Sequence, residues 1–297
     1  MIRAVALAAL LASGDPSTLA VRRTAGSVEW WRADRAPARW ERAHPVVMRA
    51  IQWRRGMTGI EYGELALEAG GEAWHTRVIV ARLDPKRVSF DVQWGVDSVA
   101  HPVWSIADVP SDAVFAINAG QFTAALPWGW VVTDGHERLA PAHGPLSSAV
   151  IIERGGLVRV IDGDSLESAR RASSVVAAFQ SYPTLLGRGG VVPPAIRVPC
   201  AIDCTHRDAR LAIGVDREGR VLVALTRFDA VGEAMGFLPL GLTVPETAAL
   251  MGAFGAQQAV LLDGGISAQL LVRDAQGVNH TWRGVRRVPL GLIARVH

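Results

Sequence analysis

A carboxylate at the end of an apolar run is the clearest chemical signal in the sequence. Asp263 follows the apolar residues 260–262 and precedes Gly264 and Gly265. A strand that ends on a polar side chain presents that group to a ligand from a rigid support. Paired glycines let the backbone turn sharply and come close to a bound molecule. We predict that Asp263 acts as a base or nucleophile; the alternative is a turn aspartate that bonds its own backbone.

Two more apolar segments end on polar residues. Ala113–Ile117 leads into Asn118-Ala119-Gly120, and Ser174–Phe179 leads into Gln180-Ser181. Binding residues are often held at such positions, where a loop begins at the end of a rigid element. Both segments are therefore further candidate positions for binding groups.

The elements that must position these groups are mainly strands. Apolar residues alternate strictly through Val88–Trp94, which indicates a strand with one buried face. Asp84-Pro85 predicts a turn before it, Asp216–Gly219 predicts a hairpin, and Ser105–Val109 is expected to begin a short helix. Strands are predicted at His75–Leu83, Val88–Trp94, Ala113–Ile117, Ala149–Glu153, Leu157–Ile161, Ser174–Phe179, Leu211–Val215, Arg220–Thr226 and Ala259–Leu262.

One helix has a clear start and end. Thr243 is placed as its N-cap with Glu246 three residues on, which is the capping-box pattern. Pro245 lies in the first turn, where its missing N–H does no harm, and Gly255 is placed to end the helix. The cap gives Glu246 a structural explanation that competes with a catalytic one.

Length and composition favour one large globular domain. The chain has 297 residues, of which 49% are hydrophobic and 20% charged, an ordinary balance for a folded protein. Residues 1–25 hold Arg3 and the apolar run Ala4–Ala12, which is typical of a short export signal; a frayed alanine-rich helix is the alternative. Residues 26–49 form a Trp- and Arg-rich extension, and residues 50–297 form the main domain. We expect a secreted, periplasmic or cell-envelope protein.

The charge pattern argues against a nucleic-acid partner. The formal net charge is +3, but the basic residues are interleaved with acidic ones and are not gathered in a recognition motif. No segment is long and apolar enough to span a bilayer. The oligomeric state is not indicated.

The two cysteines leave three interpretations open. Cys200 and Cys204 lie four residues apart and could form a disulfide or stay as free thiols. A metal site would need Asp203 and His206 as further ligands.

Five motifs, in order, carry a family resemblance. The set resembles the phosphodiester glycosidase domain family, which includes the enzyme that uncovers mannose 6-phosphate and bacterial members labelled as exopolysaccharide biosynthesis proteins. The match extends over roughly residues 50–297. The motifs are Asn118-Ala119-Gly120-x-Phe122, Gln180-Ser181-x-Pro183, Arg210-x-Ala212-Ile213-Gly214-Val215-Asp216, Gly241-Leu242-Thr243-x-x-Glu246 and Leu262-Asp263-Gly264-Gly265-x-Ser267.

The resemblance implies a fold, a reaction and a set of site residues. The fold is α+β, a strand-rich single domain with curved mixed or antiparallel sheets packed around a few helices. The reaction is cleavage of the bond between a sugar C1 atom and a phosphodiester oxygen, or of a related exopolysaccharide or envelope glycan. The implied site residues are Asn118, Gly120, Gln180, Ser181, Arg210, Asp263, Gly264, Gly265 and Ser267.

Such a reaction requires carboxyl groups and a residue that binds phosphate. Glycosidases place two carboxyl groups around the anomeric carbon, and arginine holds phosphate with two parallel hydrogen bonds. Arg210 and Arg207 are the residues predicted to bind the phosphate. The second carboxylate is sought among Glu246, Asp134 and Asp203, and the histidines His136 and His206 are acid–base alternatives.

Substrate recognition is expected from aromatic residues near the motifs. Trp128 can stack on a sugar face, as can Trp130, with core packing as the alternative. Four residues depart from the family pattern: Gln121, Tyr182, Leu211 and Ile266. Of these, Tyr182 and Ile266 would narrow or reshape the pocket.

Two other functions compete with the hydrolase. One is a non-catalytic glycan-binding or assembly protein of the cell envelope, favoured by the four departures, and the other is an enzyme that acts on a different envelope glycan. A divalent cation, Ca²⁺ or Mg²⁺, is compatible with a carboxylate beside a Gly-Gly turn.

Overall fold

The fold is that of a computed structural model, which describes residues 17–123, 125–197, 200, 202, 204–229 and 240–297. The described residues form three main sheets and a two-stranded ribbon, and every strand pairing among them is antiparallel. The predicted strand-rich α+β class is confirmed.

The first sheet has nine strands and runs through the centre of the molecule. The strands are β1 Thr18–Arg23, β2 Gly26–Arg32, β3 Gln52–Arg55, β4 Ile60–Ala69, β5 Thr76–Leu83, β15 Thr184–Leu186, β16 Leu211–Asp216, β17 Val221–Phe228 and β18 Ala256–Leu261. Their order in the sheet is β15-β18-β16-β17-β5-β4-β1-β2, with β3 paired to β4.

The other two main sheets have five strands each. The second sheet, in the order β11-β10-β14-β12-β13, contains β10 Val131–Thr133, β11 His136–Leu139, β12 Ser148–Glu153, β13 Val158–Asp162 and β14 Val175–Ser181. The third, in the order β20-β19-β7-β21-β6, contains β6 Val88–Trp94, β7 Phe115–Asn118, β19 Leu270–Arg273, β20 Asn279–Trp282 and β21 Leu290–Val296. The ribbon pairs β8 Phe122–Thr123 with β9 Leu126–Pro127.

The central sheet is covered on both faces. One face packs against the second and third sheets through a shared apolar cluster that includes Ile213, Val223 and Phe179. The other face packs under α3, Val244–Ala253, in a second cluster with Leu250 and Leu261. Because both faces are covered, every residue of β16 and β17 is buried, which explains why their apolar runs are nearly continuous.

The described helices are short and pack against the faces of the sheets. In the described residues, α1 spans Pro45–Ala50 and α2 spans Leu166–Arg171. The capping box predicted for α3 is present, since the Thr243 hydroxyl accepts from the Glu246 N–H and the Glu246 carboxylate accepts from the Thr243 N–H. The short helix predicted from Ser105 is wrong: Ser105–Val109 forms turns, in which the Ser105 hydroxyl accepts from the Ala107 N–H at 3.2 Å.

The described region before residue 50 contributes β1 and β2 to the central sheet and packs against α3. Trp31 and Trp40 are buried in the cluster under α3, and a Cβ atom on Gly252 would lie 2.2 Å from the Trp40 ring. In β1, Leu19 and Val21 are buried and pair with β4. The apolar run Ala4–Ala12 lies outside the described residues, and the predicted boundaries at residues 25 and 49 stay predictions.

Candidate active site

Three of the predicted site residues meet where the three sheets come together. Asn118 ends β7 in the third sheet, Ser181 ends β14 in the second, and Asp263 follows β18 in the first. The Asp263 N–H donates to the Gly120 carbonyl at 3.0 Å, and the Ser181 hydroxyl donates to the Leu261 carbonyl at 2.5 Å. Two hydrogen bonds therefore fix the end of β18 to both neighbouring sheets.

Asn118 holds the backbone of Asp263 in place. Its Nδ2 atom donates to the Asp263 carbonyl at 2.8 Å, and its Oδ1 atom accepts from the Gln269 N–H at 2.9 Å. The side chain is buried, so both bonds are shielded from water. Asn118 is thus a positioning residue for Asp263.

The two glycines after Asp263 allow a second carboxylate to approach. Gly265 has a φ of +55°, and its N–H donates to the Ala209 carbonyl at 2.7 Å. A Cβ atom on Gly265 would lie 3.0 Å from Oδ2 of Asp208, and one on Gly264 would lie 2.4 Å from the Ala209 carbonyl oxygen. The glycines therefore bring Asp208 next to the segment that carries Asp263.

The pKa values of both carboxyl groups are raised. Burial raises the pKa of Asp263, and the charge of Asp208 raises this pKa further, while Ser267 and Arg286 oppose the shift. Burial also raises the pKa of Asp208, against the charge of Arg210. Among the described residues, no group donates a hydrogen bond to the buried Oδ2 atom of Asp263. Raised pKa values at a pair of neighbouring acids are typical of acid–base sites.

Sequence reasoning missed Asp208 as a candidate for the second carboxylate. Asp134 lies in the exposed turn between β10 and β11. The next residue, Gly135, bonds Val176 at the start of β14, whereas Ser181 is at the other end of that strand. Glu246 is fully buried in the cap of α3, and Asp203 lies outside the described residues. The structure thus brings Asp208, and neither Asp134 nor Glu246, to Asp263.

The two arginines predicted to bind phosphate are turned toward protein groups. Arg207 donates to both carboxylate oxygens of Glu246, at 2.7 and 2.9 Å. Arg210 is buried and donates to the carbonyl oxygens of Leu242 and His206, at 2.8 and 2.6 Å. These contacts fix the segment that carries Asp208. A direct role of either arginine on phosphate stays a prediction.

A different arginine reaches the site from the loop before β21. Arg286 donates from Nε to the Ser267 hydroxyl at 2.8 Å, and its Nη2 atom lies 3.7 Å from Oδ2 of Asp263. Its guanidinium group lies over the Phe122 ring, 4.5 Å from the centroid. The side chain is 49% exposed. Nothing in the local sequence sets Arg286 apart from its arginine neighbours.

The remaining predicted residues shape the loops around the site. Gln180 is buried, and its Oε1 atom accepts from the N–H groups of Trp130 and Ala142, at 2.6 and 2.9 Å. Trp128 is half-buried and meets the Tyr182 ring edge-on, with 5.4 Å between centroids. Trp128 and Tyr182 thus form one aromatic pair. Trp130, in contrast, is buried in the apolar cluster between the second sheet and α2.

The residues considered for metal binding are arranged differently. Cys200 and Cys204 form a disulfide bond, which decides between the three interpretations that the sequence leaves open. Nε2 of His206 lies 3.9 Å from Asp208, and His136 is exposed on β11. Within the described residues there is no group of three or more His, Cys, Asp and Glu side chains that could hold a metal ion.

Paired carboxyl groups beside a guanidinium are groups that a hydrolase can use. The family model described as phosphodiester glycosidase matches residues 111–295, and the chain belongs to this family. It is therefore a glycosidase whose substrates are sugars linked through a phosphodiester, as the motifs predict. No curated protein sequence matches the chain.

Solved structures share the fold at low sequence identity. The zebrafish N-acetylglucosamine-1-phosphodiester alpha-N-acetylglucosaminidase catalytic domain, auto-inhibited by its pro-peptide, matches with a TM-score of 0.58 and 17% identity, covering 89% of this chain and 94% of that one. A Burkholderia pseudomallei protein described as exported has a TM-score of 0.53 and 15% identity, covering 78% and 74%. A Synechocystis protein has 0.50 and 16%, covering 91% and 66%. None of the described helices is long and apolar enough to cross a membrane.

Proposed function

We propose that Asp208 and Asp263 together hydrolyse the bond between a sugar C1 atom and a phosphodiester oxygen. The observation that carries this proposal is the approach of Asp208 to Gly265, two residues after Asp263. This approach brings two partly buried carboxyl groups from distant segments of the chain to one site, and glycosidases use two carboxyl groups.

The two carboxyl groups divide the reaction between them. One assists the attack of water on C1, and the other faces the oxygen that leaves. The C1–O bond breaks with its electron pair on the phosphate oxygen, so the products are a free sugar and a phosphate monoester. Burial raises the pKa of both carboxyl groups, which favours the protonated form that an acid in this reaction needs.

The substrate that we propose is a glycan of the cell envelope or an exopolysaccharide with a sugar 1-phosphodiester linkage. The motifs resemble those of bacterial exopolysaccharide biosynthesis proteins, and the zebrafish relative is named for an N-acetylglucosamine 1-phosphodiester. The aromatic pair Trp128–Tyr182 offers apolar ring surface beside the site, which suits a sugar face.

The experiment is an assay of sugar and phosphate-monoester release by the purified protein. Substrates are UDP-GlcNAc and simple sugar 1-phosphodiesters, and the variants are Asp263→Asn and Asp208→Asn. We expect turnover by the unmodified protein and a loss of at least about 100-fold in kcat for each variant. Thermal unfolding verifies that each variant is folded.

Asp134→Asn is the matched control. Asp134 lies in an exposed turn at a φ of +52°, a conformation that asparagine tolerates, so this variant should retain full activity. Unchanged turnover in folded Asp208→Asn would remove Asp208 from the pair. An unmodified protein that binds glycans but cleaves no diester would favour the non-catalytic alternative.

Export is proposed together with this substrate. A disulfide in the described part of the chain suits an oxidising compartment, and the apolar run at Ala4–Ala12 is typical of a signal. Because Leu19 and Val21 of β1 are buried in the central sheet, we expect cleavage before Ser17 rather than at residue 25. Mass spectrometry of the mature protein from a secreting host measures this end directly.

The divalent cation stays a proposal with a simple assay. Ca²⁺ and Mg²⁺ prefer carboxylate oxygens, and the Asp208–Asp263 pair supplies them. Activity before and after dialysis against EDTA, followed by re-addition of each ion, decides whether either ion is used.

A further inference from the structure

We infer that Arg286 binds the phosphate of the substrate and thereby sets the preference for a phosphodiester over a neutral glycoside. The inference rests on the proposed function of the Asp208–Asp263 pair. It concerns a residue that lies outside the five sequence motifs.

The position of the Arg286 guanidinium is fixed on two sides. Nε donates to Ser267, whose side chain is buried beside the Gly264-Gly265 turn. One guanidinium face lies on the ring of Phe122, which attracts a cation and limits its rotation. A guanidinium that is held in advance loses little freedom when it binds an anion.

One end of this guanidinium lies near the carboxyl group of Asp263. Nη2 lies 3.7 Å from Oδ2 of Asp263, and the Arg286 side chain is 49% exposed. In contrast, the Arg207 side chain is 15% exposed and paired with Glu246, and Arg210 is buried against backbone carbonyls. Arg286 is therefore the better placed of the three arginines to meet an anion from solvent.

The same geometry assigns sides to the two carboxyl groups. A phosphate on Arg286 lies beside Asp263, so Asp263 faces the leaving oxygen and Asp208 faces the attacking water. Water forms a bond to C1 as its proton passes to Asp208. The C1–O electron pair moves to the phosphate oxygen, which takes the proton of Asp263. This assignment is the reverse of the base or nucleophile role that the sequence favours for Asp263.

The test compares two leaving groups on the same sugar. kcat/KM is measured for a sugar 1-phosphodiester and for the 4-nitrophenyl glycoside, with Arg286→Ala and Arg286→Lys. We expect Arg286→Ala to lose about 30-fold on the diester and less than about threefold on the neutral glycoside. Arg286→Lys keeps the positive charge but loses the paired N–H donors of the guanidinium, so its loss of kcat/KM on the diester should be intermediate.

Arg287→Ala is the matched control. Arg287 is the next residue, is 55% exposed and pairs with Asp108 at 2.6 Å, so its removal should leave both activities unchanged. Equal losses on the two substrates in folded Arg286→Ala would overturn the inference, because Arg286 would then act only through Asp263. Full activity of Arg286→Ala on the diester would also overturn the inference.

Calorimetry with inorganic phosphate and methyl phosphate separates this inference from the proposed function. The unmodified protein and Arg287→Ala should bind both anions, and Arg286→Ala should bind them at least about 30-fold more weakly. If the unmodified protein cleaves neither substrate, the proposed function fails while the calorimetry still decides the role of Arg286. Equal anion binding by the unmodified protein and Arg286→Ala overturns the inference.

Discussion

Oδ2 of Asp208 lies 3.0 Å from the position that a Cβ atom on Gly265 would occupy. The two residues are far apart in the sequence, and they are joined through the hydrogen bond from the Gly265 N–H to the Ala209 carbonyl. The absence of a side chain at Gly265 thus sets how close the second carboxylate comes to Asp263.

Gly265→Ala should displace Asp208 and reduce activity. The added methyl group meets Asp208, and the φ of +55° disfavours any side chain by about 1 kcal/mol. We expect kcat to fall by at least tenfold, with a loss of about 1–2 kcal/mol in the free energy of unfolding. Gly277→Ala is the control, since Gly277 has a φ of +83° and open space around its Cβ position. An equal loss of activity in both variants would mean that Asp208 is not responsible.

Asp263→Asn should stabilise the protein at neutral pH. Burial raises the folded-state pKa of Asp263 above its unfolded value of about 3.9. The folded state therefore binds the proton more tightly, and stability is lost as pH rises through the interval between these two pKa values. Removing the ionisable group should raise the free energy of unfolding by about 1 kcal/mol at pH 7, with no gain below pH of about 4. Tm measured across this pH range tests the sign, and a lower Tm at pH 7 would contradict it.

Glu246→Gln should destabilise the fold strongly. The Glu246 carboxylate is fully buried, pairs with Arg207, caps α3 and accepts a hydrogen bond from the Ser17 hydroxyl. Loss of one partner from a buried ion pair leaves the other charge without compensation, at a cost of about 3 kcal/mol. Urea unfolding measures the change. Glu218→Gln, which breaks an exposed pair with Arg220, should cost less than about 1 kcal/mol, and similar losses in the two variants would contradict this explanation.

The sequence predicts much of the fold because local patterns determine it. The alternation in Val88–Trp94 matches β6, and Thr243 with Glu246 marks the start of α3. Asp216–Gly219 likewise forms the predicted hairpin between β16 and β17. Ser105–Val109 fails because the Ser105 hydroxyl bonds the backbone two residues on, a contact that competes with a helix.

The site is only half predictable for a related reason. Asp263 and Asn118 are visible in the sequence because each ends an apolar strand. Asp208 gains its place from a glycine in another segment, and Arg286 gains its place from Ser267 and Phe122. Such contacts join distant segments and leave no local pattern. Arg210 lies in a recognisable motif, yet only its hydrogen bonds reveal that its guanidinium turns toward backbone carbonyls.

Reduction of the Cys200–Cys204 disulfide should lower stability by a limited amount. The bond closes a short loop with a sequence separation of four, and the loop-closure relation gives about 2 kcal/mol for a ring of this size. Cys204 also packs against the apolar cluster under α3, four residues before Asp208. Loosening this segment should therefore lower Tm while the folded structure stays the same. We expect the double variant Cys200→Ser/Cys204→Ser and the reduced protein to unfold at the same urea concentration. Dithiothreitol should change the unmodified protein and leave the double variant unaffected, whereas a shift in both would show that the reductant acts elsewhere.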